Sequence, residues 1–206
     1  MASGTKQRIV EAGAQLLRRQ GYTGTGLTQI VGTSGAALGS IYHFFPGGKD
    51  ELADEVIRTA GGFYGRLVGA ILDQAPDPVT GVHAVFDGAA QTLLDTDFAD
   101  ACPIATVALE VASTHDRLRR ATADVFTDWI DEGTSRFRAW GADPGTARRL
   151  AITVLTNLEG AFVLARSLRS TEPLQAAGAS TAAMVAMVCA HPAPSGEPGP
   201  PGPPAR

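Results

Sequence analysis

Glycine and proline fall in tight clusters along this chain, and the stretches between the clusters carry helical periodicity. Breaks stand at Gly21, Gly35, Pro46-Gly47-Gly48, Pro76-Asp77-Pro78, Cys102-Pro103, Gly141-Ala142-Asp143-Pro144 and Glu172-Pro173. Proline lacks the amide hydrogen a helix interior needs, and glycine readily takes the left-handed turn that ends a helix. Between breaks, apolar side chains recur three and four apart, as in Ile9, Ala12, Leu16 and Leu17, and no segment alternates with period two. The expected fold is therefore all-α. A first helix starts at Ser3 or Thr5 and stops at Gly21, followed by Leu27–Thr33, Leu38–Phe45 and a long helix from Lys49 through Leu72. Later helices are expected at roughly 79–95, 104–113, 115–140, 144–170 and 173–189. The last stretch, residues 191–206, reads HPAPSGEPGPPGPPAR; it has almost nothing to bury and is expected to be disordered.

Hydrophobic residues at 44% and charged ones at 18% belong to an ordinary globular chain able to bury a core. The longest apolar run, Ala182 to Ala190, is far shorter than the roughly 20 residues a membrane span needs. The polar N-terminus has no apolar leader, so no membrane partner and a cytoplasmic location are expected. Cys102 and Cys189 have no metal-ligand spacing. They read as two reduced thiols, with a redox switch as the alternative. Net charge of −4 conceals an asymmetry. Residues 1–50 hold five basic side chains (Lys6, Arg8, Arg18, Arg19, Lys49) against Glu11 and Asp50, a net of +3. The remainder holds twelve basic and nineteen acidic, a net of −7. One end of the chain is thus suited to approach a polyanion.

The stretch Gly21 to Leu52, GYTGTGLTQIVGTSGAALGSIYHFFPGGKDEL, describes two short helices joined by a small-residue turn and buttressed by the first helix. That is a helix-turn-helix, whose second helix enters the major groove of DNA. Leu27, Ile30, Val31, Ile41 and Phe45 are expected inward, with Gly35 at a turn position suited to positive φ or to close helix approach. Ala37, Leu38, Gly39, Ser40, Tyr42 and His43 then occupy the outer side of the reading helix. The Ser40 and Tyr42 hydroxyls suit phosphates, and His43 suits a phosphate or base edge. Gly39 permits close backbone approach, and Lys49 suits a phosphate at the next helix start.

This stretch resembles the DNA-binding region of the TetR family through Gly21, Tyr22, Thr25, Leu27, Ile30, Gly35, Ser40, Tyr42, Phe45 and Lys49. GSIYHFFPGGKDELA and ACPIATVALEVA further resemble the branch that includes the lincomycin-resistance repressor. The resemblance implies a three-helix DNA-binding domain over 1–48, a helical ligand-binding and dimerisation domain over 49–190, and the tail at 191–206. It implies a DNA-contacting set of Thr25, Thr28, Ala37, Leu38, Gly39, Ser40, Tyr42, His43 and Lys49. Three departures stand out: Gly26 where a hydroxyl commonly caps the second helix, Leu38 where a polar reader is frequent, and Phe44 in place of histidine. Leu38 suits a thymine methyl.

In the family the larger domain encloses a ligand cavity and pairs with a second copy through its last two helices. The cavity candidates here are Phe63, Leu67, Phe86, Thr106, Glu110, Phe126, Trp129, Ile130 and Asn157. Glu110 and Asn157 are polar groups in apolar segments that a ligand could satisfy. Val154, Leu158, Ala161, Leu164, Met184, Met187 and Val188 are expected at the dimer interface, with an intrachain core as the alternative. The implied protein is a homodimeric repressor that binds pseudo-palindromic operator DNA and is released by a small apolar or aromatic effector, without a cofactor or metal. An enzyme is disfavoured: Gly47-Gly48-Lys49-Asp50 is not a phosphate loop, because His43 and Asp50 stand where glycine and Ser/Thr belong. The different-class alternative is a related scaffold, suggested by Gly26 and Leu38, that binds ligand or protein but has lost its operator.

Overall fold

The computed structural model describes residues 2–189, so the expectation of a disordered tail at 191–206 lies outside the described residues. Among these, nine helices and no strand occur: α1 Ala2–Gln20, α2 Leu27–Ser34, α3 Leu38–Phe44, α4 Gly48–Gln74 and α5 Pro78–Asp95 come first. α6 Pro103–Val111, α7 Asp116–Ala139, α8 Pro144–Leu168 and α9 Glu172–Cys189 complete the chain. The order matches that expected. α1 begins earlier than foreseen, so Ser3 and Thr5 lie inside it.

The Asp-Pro pairs start helices as well as ending what precedes them. Asp77 accepts from Thr80 N at 2.9 Å and Asp143 from Gly145 N and Thr146 N at 3.0 and 3.1 Å. Proline at the first helical position of α5 and α8 lacks only an amide that had no partner there. α2 is capped differently. Gly26 has no side chain to offer, and Gln29 reaches back to accept the Gly26 N–H at 2.7 Å. Gly35 ends α2 at φ +64°, its amide on the Val31 carbonyl at 3.0 Å, and so sets the turn into α3.

Two apolar cores hold the helices. The first joins Ile9, Leu17, Ile30, Ile41 and Phe45 of α1–α3 and their flank to Val56 of α4, Val107 of α6 and Leu118 of α7. Packing is therefore continuous across residue 48. The second joins α5, the end of α7, α8 and α9 around Val82, Phe86, Leu93, Leu150 and Leu174. α5 and α9 approach closely because Gly178 lies against Phe86: a β-carbon at 178 would stand 2.8 Å from Phe86 Cβ and 3.1 Å from its Cγ. Those atoms sit next to the α5 backbone and cannot turn away. Gly178→Ala is expected to cost about 2 kcal/mol by overpacking. A lowered urea midpoint with unchanged helical circular dichroism would register it.

Candidate nucleic-acid interface and ligand cavity

The reading head is built on α1. Ile30 of α2 and Ile41 and Phe45 of α3 are 3%, 0% and 1% exposed against Ile9 and Leu17, which fixes how α3 is turned. Its opposite face presents Leu38 and Tyr42, one turn apart and about half exposed, together with Ala37, Gly39 and His43. Thr28 is exposed on α2, and Ser40 is half-buried. Phe44 packs against the core. Two members of the expected set stand apart. Thr25 is 1% exposed and its hydroxyl donates to the Gly21 carbonyl at 2.7 Å, so it braces the turn after α1 and has no face toward solvent. Lys49 is half-buried, its ammonium 4.0 Å from the centre of the Tyr22 ring. Burial lowers the Lys49 pKa, while Asp50 and Glu110 oppose the shift. The Tyr22 hydroxyl in turn donates to Asp50; burial first, then that bond, raises its pKa well above the usual phenol range.

Most of the positive charge counted in the first 50 residues is held by contacts within the protein. Lys6 pairs with Glu55 at 2.8 Å, and Arg8 donates to the Ser34 carbonyl at 3.3 Å. Arg18 and Arg19 both turn to Asp100, at 2.7 and 3.0 Å. The Asp100 side chain is 4% exposed.

A cavity of about 370 Å³ lies between α4, α5, α7 and α8, closed at one end by the loop before α6. Its wall is chiefly apolar, with Leu67, Ile71, Val85, Trp129, Leu158 and Phe162 prominent. Of the nine cavity residues expected from the sequence, Leu67 and Trp129 line it. Phe63 is 54% exposed on the outer face of α4, and Phe86 is 1% exposed under α9. Phe126 and Ile130 pack against the first and second cores. The three polar candidates have partners within the protein: Thr106 donates to the Cys102 carbonyl at 2.8 Å, Asn157 to Thr181 Oγ1 at 2.8 Å, and Glu110 accepts from Thr23 N at 2.7 Å. Val154 and Leu158, expected at the dimer interface, face the cavity. Ala161 is buried, Met184 and Val188 are half-buried, and Leu164 and Met187 are 55% and 69% exposed.

Charged cavity residues escaped the sequence reading. Arg18 and Asp100 stand at one end, Arg136 and Glu132 at another, with Glu159 and Cys102 on the wall. Arg136 pairs with Asp73 and with Glu132 at 2.8 Å. Arg18 Nε and Arg136 Nε are buried without hydrogen-bond partners. Burial raises the Glu159 pKa to about 7, opposed by its contact with Cys102, and pushes the Cys102 thiol well up. One signal for Glu159 was available: it is the sole acidic residue of the apolar helix α8.

Head and cavity together describe a helix-turn-helix transcriptional regulator, and the comparisons agree. Residues 9–56 match the bacterial regulatory proteins of the tetR family, and residues 78–180 match the LmrA/YxaF-like transcriptional regulator C-terminal domain. An uncharacterized HTH-type transcriptional regulator of Mycobacterium tuberculosis is 38% identical over 176 residues, 83% of this chain and 89% of that protein. The HTH-type transcriptional regulator LmrA of Bacillus subtilis is 28% identical over 170 residues, covering 82% and 90%. A TetR transcriptional regulator from Chloroflexus aurantiacus, 27% identical, superposes with a TM-score of 0.75 over 90% of this chain and 96% of that chain. The chain belongs to the TetR family of DNA-binding transcriptional regulators, and it is not an enzyme.

Two stability tests follow from the charged groups. The folded state holds a proton on Glu159 more tightly than the unfolded chain does, so stability falls as pH rises from about 4.5 to about 7 and then levels off. The loss is on the order of 3 kcal/mol. Glu159→Gln should remove this slope, as urea melts at about pH 5 and about pH 8 would read. Asp100→Asn leaves Arg18 and Arg19 without their carboxylate and is expected to cost about 3 kcal/mol, whereas Lys6→Ala at the exposed pair should cost under about 1 kcal/mol. Chemical denaturation of the two variants side by side distinguishes these costs.

Proposed function

We propose that this regulator is a homodimeric repressor whose hold on operator DNA is released by a small apolar or aromatic effector bound in the α4–α8 cavity. The observation that carries the reading is the makeup of the cavity wall: Arg18 belongs to α1 of the reading head, and Leu67, Ile71 and Leu72 belong to α4, which begins directly after it. A molecule entering that space pushes on the elements that position α3. At 370 Å³ the cavity lies within the range of drug-sized sites.

Pairing has its own support. α8 is apolar enough that an 18-residue window of it meets the length and composition of a membrane span, yet only 22% of that window is buried within one chain. Ile152, Val163, Leu164 and Leu168 of α8 and Met187 of α9 are exposed. An unpartnered apolar face of this kind is suited to a second copy, and a two-fold dimer would bury it twice. The dimer then presents two α3 helices to successive major grooves about 34–36 Å apart, with Leu38, Tyr42 and His43 at the bases or backbone. To act as a switch, the effector must bind the conformation with the wrong spacing more tightly, by about 1–3 kcal/mol.

The test is titration of a fluorescent duplex carrying the chain's own upstream region, at two salt concentrations. Preference over random DNA that weakens with salt is expected, with Tyr42→Ala reducing affinity roughly ten- to hundredfold at unchanged melting temperature. Equal binding to random DNA at low salt, unaffected by Tyr42→Ala, would overturn the repressor reading in favour of a scaffold without an operator.

A further inference from the structure

We propose that the effector of this cavity is a cation, an apolar body carrying an ammonium group that seats on the Glu159 carboxylate. This rests on the reading of the cavity as an effector site and names the class of molecule it selects.

Each charged residue of the cavity wall except Glu159 is in an ion pair among the described residues. Arg18 shares Asp100 with Arg19, and Arg136 is matched by Asp73 and Glu132. The first group carries one surplus positive charge and the second one surplus negative charge, so together they sum to zero. Glu159 forms no ion pair among the described residues; its polar neighbour is the Cys102 thiol, a weak donor. A carboxyl placed in an apolar helix and turned into an apolar cavity opposes folding unless something compensates it. A ligand ammonium is the strongest compensation available, because a charge-assisted hydrogen bond to a carboxylate is roughly twice as strong as a neutral one. Trp129 and Phe162 also line the cavity, and aromatic rings attract a cation placed over them. An anionic ligand would have to rely on Arg18 or Arg136, each already held by a carboxylate, Asp100 or Glu132, that lines the same cavity.

Three probes of one shape separate these cases: naphthylmethylamine, naphthylmethanol and naphthoate. Titration of the full chain in a Trp140→Phe background leaves Trp129, on the cavity wall, as the fluorescent reporter. The amine is expected to bind roughly tenfold or more tighter than the alcohol, with naphthoate weakest. Glu159→Gln is expected to remove the amine's advantage while leaving alcohol binding within about twofold. Should that variant not fold, the order of the three probes on the Glu159 protein decides by itself. Equal binding of amine and alcohol, tighter binding of naphthoate, or an amine preference that survives Glu159→Gln overturns the cation assignment and leaves the cavity as a binding site. Failure of all three probes to bind a folded, DNA-competent protein overturns the effector-site reading, and the cation assignment with it.

Discussion

Asp100 is a nearly buried carboxylate with two arginines from α1 upon it, and the relation between reading head and cavity turns on that contact. A buried carboxylate that loses its partners is far costlier than an exposed one, so Arg18 and Arg19 cannot leave while the loop before α6 stays in place. That loop is held from its other side. Arg166 of α8 donates to the Phe98 and Ala99 carbonyls at 3.3 and 3.1 Å, and Arg169 pairs with Asp97. Asp97 and Phe98 both have positive φ, at 49° and 59°, a conformation that costs non-glycine residues energy and persists only where surroundings enforce it. The far end of α8 is therefore tied through one strained loop to the last turn of α1. The same loop closes the cavity.

α4 provides the second tie, and its packing against α7 borders the cavity. A β-carbon at Gly61 would stand 2.5 Å from Val125, and the Trp129 indole donates to the Gly61 carbonyl at 2.9 Å. α4 and α7 are thus drawn together along their first halves. Further on, α4 meets Arg136, a long charged side chain held by Asp73 and Glu132. Beside this contact lies the cavity, its wall chiefly apolar. A protein interior normally packs without voids of this size, so the cavity marks where core stability has been forgone.

How much of this the sequence disclosed follows from what kind of information each feature needs. Helix order was legible because proline and glycine act locally: Asp77-Pro78 and Asp143-Pro144 dictate a helix start whatever lies around them. The reading helix was legible because Ile41 and Phe45 fix its inward face, leaving Leu38 and Tyr42 outside. Of the expected cavity residues only Leu67 and Trp129 line the cavity, since facing a void depends on how far apart two helices cross. Val154 and Leu158 carry the apolar spacing of an interface, yet the crossing of α8 with α4 and α5 turns them into the cavity. Glu110 and Asn157 were picked out as polar groups in want of a partner. Thr23 and Thr181 supply one, from residues remote in sequence. Arg18 and Arg19 were counted as charge for DNA because nothing local reveals that Asp100, about eighty positions away, takes both.

That last reassignment bears on how such a head holds DNA. Attraction to the phosphate backbone scales with the cations a protein brings to it, and here Lys6, Arg18 and Arg19 are paired within the chain while Lys49 lies on Tyr22. What remains on the reading face is hydroxyl, imidazole and apolar: Thr28, Ser40, Tyr42, His43 and Leu38. Groups of this kind give shape and base discrimination more readily than they give affinity. A single head so equipped brings little charge to DNA, and under the proposed pairing two heads would have to engage at once at a fixed separation. On that reading a small change in the separation would remove most of the binding. On the proposed reading, the sparse charge of the reading face makes binding depend on geometry, and the strained tie at Asp100 would give the cavity a hold on that geometry.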